Sequence, residues 1–133
     1  MAFTTVVSGQ FYETVMETIR KVADRRGGFT LAMLLPSNAH DSASWNAVFS
    51  AHWLDPLSLR EAVKTMLDEL KTNLPGSAFS RIQRVSILRT SESFVREVTA
   101  DLSISIGTVY RVQSFAFSRF GVEEAVVFVA TPS

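Results

Sequence analysis

Two histidines and a neighbouring aspartate are the residues whose types come closest to a chemical site. His40 is followed directly by Asp41 in a polar segment rich in serine, and His52 stands on the less apolar side of an alternating stretch. An imidazole supported by a carboxylate is the usual general base of hydrolytic sites. If a hairpin brings the two histidines together, His40, Asp41 and His52 would line a small-ligand-binding or hydrolytic site.

The spacing of these residues does not match any common catalytic or metal-binding motif. The sequence contains no HxH, HxxxH, HExxH or GxSxG pattern, no glycine-rich phosphate loop and no cysteine. A zinc site takes three or four ligands at fixed geometry, so neither a metal nor another cofactor is expected. The polar residues around His40 are also typical of turns whose side chains bond to their own backbone. The sequence therefore favours a non-enzymatic protein over an enzyme.

Arginine is concentrated in the C-terminal part of the chain, where six arginines lie from Arg81 to Arg119. Over the whole chain, however, Lys plus Arg and Asp plus Glu each number 13, so the net charge is zero. The arginines could form an anion-binding surface, but charged side chains on an edge strand more often prevent unwanted strand pairing. Nucleic-acid binding also depends on a strong positive field, which a net charge of zero does not supply. We therefore expect neither a nucleic-acid partner nor an anionic membrane partner.

Three phenylalanines near a predicted turn form a second candidate site, which would be a protein–protein interface. Phe115, Phe117 and Phe120 lie among small neutral residues, and the following stretch, 122–130, is apolar on both sides after Glu124. Only 20% of the residues are charged, against about 25% in typical soluble domains. These features favour a homo-oligomer, most simply a homodimer, although a different protein partner or a core role for each phenylalanine stays open.

Hydrophobic periodicity defines the elements that must position these residues. Capping positions are expected at Ser8 for the first helix and at Ser58, with Glu61 as its partner, for the second. Helices are predicted over 11–26, 59–74 and 91–102. Strands are predicted over 29–35, 45–54, 81–89, 108–117 and 122–130.

The resulting order, α-β-β-α-β-α-β-β, predicts one α+β domain over residues 1–133. Its mixed five-stranded sheet should be packed by two amphipathic helices and one short helix. The strand over 29–35 should be internal because it is apolar at nearly every position, and the arginine-bearing strand should lie at an edge. The residues expected to be buried between helix and sheet are Val15, Ile19, Met66, Leu67 and Leu70.

No apolar run approaches the roughly 18 residues that a membrane span requires, and the first basic residue is Arg20, so no secretory signal is expected. The sequence thus predicts a cytoplasmic, non-enzymatic interaction or regulatory domain that self-associates. The alternative is a small-ligand-binding protein or hydrolase with its site near His40, Asp41 and His52.

Overall fold

A computed structural model of the chain describes residues 2–38 and 41–132, with only the backbone described at residues 38 and 41–43. The described residues form an α+β fold with one mixed sheet. The elements are β1 (Ala2–Val6), α1 (Gln10–Arg26), β2 (Leu31–Asn38), β3 (Asp41–Ser50), α2 (Leu59–Asn73), α3 (Gly76–Phe79), β4 (Ile82–Ile87), α4 (Ser93–Asp101), β5 (Tyr110–Ser114), α5 (Phe115–Arg119) and β6 (Ala125–Ala130).

The sheet has the strand order β1-β5-β6-β2-β3-β4, with β1 and β4 at its edges. Neighbouring strands are antiparallel except β3 and β4, which are parallel and are connected through α2 and α3. The strands predicted over 29–35 and 45–54 pair antiparallel as β2 and β3, and those predicted over 108–117 and 122–130 as β5 and β6. The predicted strand 108–117 is too long, however, because helix α5 begins at Phe115. The internal position of β2 and the edge position of β4 also agree with the sequence prediction.

The sheet has one strand more than the sequence predicted, because β1 was missed. Its five residues, AFTTV, are mostly exposed and lack the strict apolar alternation that identifies a half-buried strand. They pair with β5 from Ala2 opposite Ser114 to Val6 opposite Tyr110.

Helices cover both faces of the sheet and divide the core into two layers. On the first face, α1 and α2 pack through residues such as Val15, Ile19 and Met66 against Phe49 and Phe128. On the second face, α4 and α5 pack against the other parity of the same strands. The two-sided apolar pattern of the last strand follows from this arrangement, since all six residues of β6 are buried.

The ends of the helices follow local capping chemistry. Ser58 precedes α2 and accepts a hydrogen bond from the backbone N–H of Glu61, while its hydroxyl donates to the Glu61 carboxylate at 2.9 Å. This is the predicted capping box. Helix α1 instead begins after Gly9, with no side-chain cap, so the predicted role of Ser8 is wrong.

Three details of the sequence prediction need correction. The segment between the predicted strands 29–35 and 45–54 is largely strand, since β2 continues to Asn38 and β3 begins at Asp41. Strand β3 ends at Ser50, so Trp53 lies in the following turns and not on the strand with Trp45. Leu67 is 38% exposed because it lies at the rim of the stripe that buries Met66 and Leu70.

In the described part of the chain, no helix combines the length and apolarity needed to cross a membrane.

Candidate functional site

Two of the three residues of the predicted histidine and aspartate site, Asp41 and His52, lie at opposite ends of β3. His40 lies outside the described residues. Asp41 begins β3, whereas His52 follows the end of the same strand. Because a strand rises about 3.3 Å per residue, Asp41 and His52 lie roughly 30 Å apart along β3, and a site that includes His40 stays a prediction.

His52 instead belongs to an exposed group of polar residues at the C-terminal end of the parallel strands. Its side chain is 68% exposed, and its Nδ1 lies 3.8 Å from Oδ2 of Asp55. The Asp55 carboxylate accepts hydrogen bonds from the backbone N–H of Thr90 at 3.1 Å and from the Thr90 hydroxyl at 2.5 Å. Thr90 is thereby bonded to the aspartate and not to the imidazole, so the group connects two loops and is not arranged as a catalytic triad.

The three predicted interface phenylalanines have different environments. Phe117 is completely buried and stacks on Phe94, with ring centroids 6.1 Å apart. Phe120 packs edge to face against Phe94 and remains 42% exposed, whereas Phe115 is 69% exposed. Phe117 is therefore a core residue, which corrects its assignment to an interface, and Phe115 and Phe120 remain available at the surface.

The edge strand β1 carries two further exposed apolar side chains, one on each face of the sheet. Phe3 is 69% exposed and Val6 is 63% exposed, and the strand from Ala2 to Val6 has no charge and no proline. Phe115 follows Ser114, the register partner of Ala2, so it lies at one end of the same edge. We call Phe3, Val6 and Phe115, with the outer backbone of β1, the β1 edge surface.

The opposite edge of the sheet is protected. Strand β4 carries the exposed Arg84, and Arg81 and Arg89 flank the strand. Charges on an edge strand oppose pairing with another strand, whereas an uncharged edge rich in β-branched and aromatic residues favours it. The two edges of one sheet therefore differ sharply in their capacity for association.

A groove on the α1 face of the sheet has a volume of about 940 Å³. It runs across the strands from Arg111 on β5 to Arg81 before β4. Its remaining lining residues are Tyr12, Leu35, Pro36, Trp45, Gly121, Val122, Glu123 and Glu124. A mixture of aromatic, aliphatic and a few charged side chains is typical of small-molecule sites.

The two ends of the groove differ in charge. At one end, Arg111 Nε lies 3.5 Å from Oε1 of Glu124, and the Gln113 amide donates to the same carboxylate at 3.5 Å. At the other end, the guanidinium of Arg81 lies over the ring of Phe11, with Cζ 3.8 Å from the ring centroid. Phe11 in turn stacks on Trp45, so the arginine is held against an aromatic cluster.

Asp101 connects the helices on the second face of the sheet. The hydroxyl of Ser114 donates a short hydrogen bond to its carboxylate and also accepts one from the backbone N–H of Ala116 at 3.1 Å. The Ser114 hydroxyl lowers the pKa of Asp101, and partial burial opposes this change. Among the described residues no cluster of three or more metal-ligating side chains forms here or elsewhere.

Comparison with known proteins finds no matching family model, no matching curated protein and no matching solved structure.

Sequence reasoning identified Phe115 but missed the rest of the β1 edge surface and the groove. The β1 edge surface had a usable signal, because AFTTV is a short uncharged run with high strand propensity. The groove had none, because it depends on Phe11, Trp45 and Arg81 meeting from distant parts of the chain.

Proposed function

We propose that this chain is a non-enzymatic interaction domain that forms a homodimer by pairing the β1 strands of two copies. The observation that carries the proposal is an edge strand without charge or proline on which Phe3 and Val6 are both more than 60% exposed. Such edges readily accept a further strand. The net charge of zero means that two copies do not repel each other overall.

The hydrogen bonds of β1 to β5 determine which backbone groups point outward. Val7 N–H donates to the carbonyl of Val109 at 2.9 Å, and the register continues with Val6 opposite Tyr110. Antiparallel strands alternate between bonded and non-bonded pairs, so Phe3 and Thr5 direct their backbone groups toward β5. Ala2, Thr4 and Val6 direct theirs toward the outer edge.

An antiparallel pair of β1 strands centred on Thr4 satisfies all three outward residues. Thr4 would pair with its own copy, and Ala2 would pair with Val6 of the second copy in both directions, which gives about six backbone hydrogen bonds. The same register places Phe3 beside Thr5 of the second copy and Val6 near the Ala2 end, where Phe115 lies. Because each copy contributes the same residues, the contact closes as a twofold dimer and does not propagate.

Thr4→Pro tests this pairing with little direct effect on the monomer. The Thr4 N–H points outward, and proline is tolerated at such positions of edge strands. Light scattering should give a dimer at tens of micromolar for the unmodified chain and a folded monomer for Thr4→Pro. Thr4→Val, which keeps the N–H and the strand propensity, should remain dimeric.

A monomeric unmodified chain at those concentrations would refute the proposal. So would a Thr4→Pro variant that is folded and still dimeric, because the outward N–H could then not be part of the contact. The predicted setting is the cytoplasm, where the absence of cysteine is compatible with reducing conditions.

A further inference from the structure

We propose that a hollow beside β1 receives the side chain of Val6 from the second copy of the chain. This contact rests on the pairing of β1 strands proposed above, and it would fix the direction and the register of that pairing. Val6 and the hollow lie toward opposite ends of one strand and on the same face of the sheet, which is the arrangement that two identical strands need to fit each other.

The hollow lies on the second face of the sheet and has a volume of about 370 Å³. It is lined by Ala2, Thr4 and Tyr110 on the strands and by residues 101–104 at the end of α4 and after it. We call it the β1 hollow. Because a cavity of about 150 Å³ can hold a benzene ring, the β1 hollow has room for an isopropyl group.

The lining of the β1 hollow offers aliphatic surface beside hydroxyl groups. Leu102 and Ile104 belong to the core of the second face, and Ala2 packs against the same core. The carboxylate of Asp101, the charged group of the lining, accepts a hydrogen bond from the Ser114 hydroxyl. An isopropyl group would fill only part of the volume, so it could bury apolar surface while the hydroxyl groups stay hydrated.

Val6 is an exposed apolar side chain on the same face of the sheet as the β1 hollow. Its side chain is on the same side of β1 as those of Ala2 and Thr4, because side chains alternate along a strand, and Val6 is 63% exposed. Val6 follows Thr4 by two residues, and Ala2 precedes it by two. A twofold axis at Thr4 therefore exchanges the two positions, so each copy brings one Val6 and one β1 hollow to the contact.

The antiparallel pair centred on Thr4 places Val6 of the second copy directly opposite Ala2. Opposite residues have their β-carbons about 5.5 Å apart, so the isopropyl group lies at the β1 hollow. A shift of the pair by two residues leaves one outward residue of each copy unpaired and reduces the backbone hydrogen bonds from about six to about four. A parallel pair in register would leave Val6 of the second copy four residues, or about 13 Å, from Ala2.

Light scattering over a dilution series of the full chain tests the contact from both sides. Ser103 is exposed and lines the β1 hollow, so Ser103→Tyr should fill it and weaken dimerisation by at least about tenfold. Ser105→Tyr is the matched control, since Ser105 is also exposed but does not line the hollow. Val6→Ala should weaken the dimer to a similar extent, whereas Thr5→Ala, on the opposite face of β1, should change it by less than about threefold.

Disulfide formation tests the register, because the chain contains no cysteine of its own. Opposite residues of a bonded antiparallel pair have their α-carbons about 5.5 Å apart, which suits a disulfide. Oxidation of an equal mixture of the Ala2→Cys and Val6→Cys variants should therefore give the mixed disulfide in preference to either homodimer. In the Ser103→Tyr background the yield of the mixed disulfide should fall.

The outcomes separate this contact from the strand pairing on which it rests. A monomeric unmodified chain would refute both. A dimer that Thr4→Pro dissociates but that Ser103→Tyr and Val6→Ala leave intact would overturn the Val6 contact alone, as would a mixture in which the two disulfide-linked homodimers predominate. If Ser103→Tyr does not fold, Val6→Ala and the disulfide mixture still decide.

Discussion

Gly27 lies directly against the indole of Trp53, at a distance that leaves no room for a side chain. A β-carbon on Gly27 would lie 2.9 Å from Cδ1 of Trp53, and the backbone there has φ of +130°. The glycine ends α1 with a backbone bond to the Ala23 carbonyl at 2.9 Å, and the indole packs edge to face with Phe29. The end of α1 can therefore pack directly against the turn after β3 because residue 27 is a glycine.

Gly27→Ala should lower the free energy of unfolding by about 1–3 kcal/mol, because alanine strains this backbone and displaces the indole. Gly28→Ala is the matched control, since a β-carbon there meets no atom within 4 Å. Urea denaturation followed by tryptophan fluorescence measures both variants. Equal stabilities of the two variants would show that the contact with Trp53 does not constrain residue 27.

A buried carboxylate connects α1 to α2, and its removal should be costly. The side chain of Glu69 is 8% exposed, accepts a short hydrogen bond from Arg25 and lies 3.7 Å from Nε of Arg26. Glu69→Ala should lower the free energy of unfolding by about 1.5–3 kcal/mol, the usual value for a hydrogen bond to a charged group. The exposed neighbour Asp68→Ala should change it by less than about 0.5 kcal/mol in the same denaturation experiment, and a similar loss in both variants would contradict this interpretation.

Two leucines about one turn apart on α2 should respond differently to truncation. Leu70 is 1% exposed, so Leu70→Ala should cost about 2–5 kcal/mol through lost burial and a cavity. Leu67 is 38% exposed, so Leu67→Ala should cost less than about 1 kcal/mol. Chemical denaturation distinguishes the two, and a large loss at Leu67 would place it in the core, as the helical periodicity alone suggested.

Much of the fold could be predicted because its signals are local. The capping residues of α2 and its apolar stripe lie close together in the sequence, so they predicted the helix correctly. The stripe also predicted correctly that Met66 and Leu70 are buried. The exposure of Leu67 depends on how far the sheet extends beneath the helix. The spacing of apolar residues along the helix carries no information about that. The groove was not predictable for the same reason, since Phe11 meets Arg81 only after the strands have assembled.

The acid dependence of stability should change when the carboxylate of Asp101 is removed. Its folded-state pKa lies below the usual value, mainly because the Ser114 hydroxyl donates to the charged form. The stabilisation that the charged carboxylate provides is fully present above the unfolded-state pKa of about 3.9. It is lost as the pH falls through the folded-state pKa. Asp101→Asn should therefore melt at a lower temperature than the unmodified chain at pH 7, and the difference should narrow below about pH 4. A difference independent of pH would mean that the charge is not involved.

Aspartate substitutions should separate the core phenylalanine from the surface phenylalanine of α5. Phe117 is completely buried against Phe94, so Phe117→Asp would place an unpaired charge in the core and should unfold the chain. Phe115 is 69% exposed and lies at the end of β1, so Phe115→Asp should keep the fold but weaken the dimer, because each copy would bring a charge into the apolar contact. Circular dichroism reports the fold, and light scattering over a dilution series reports the association.

Arg119→Gln, on the same short helix but with its guanidinium bonded to Glu97, should leave the dimer intact. A folded Phe115→Asp variant that dimerises as tightly as the unmodified chain would exclude Phe115 from the contact, and the Thr4→Pro variant would then decide whether the strand pairing stands without it.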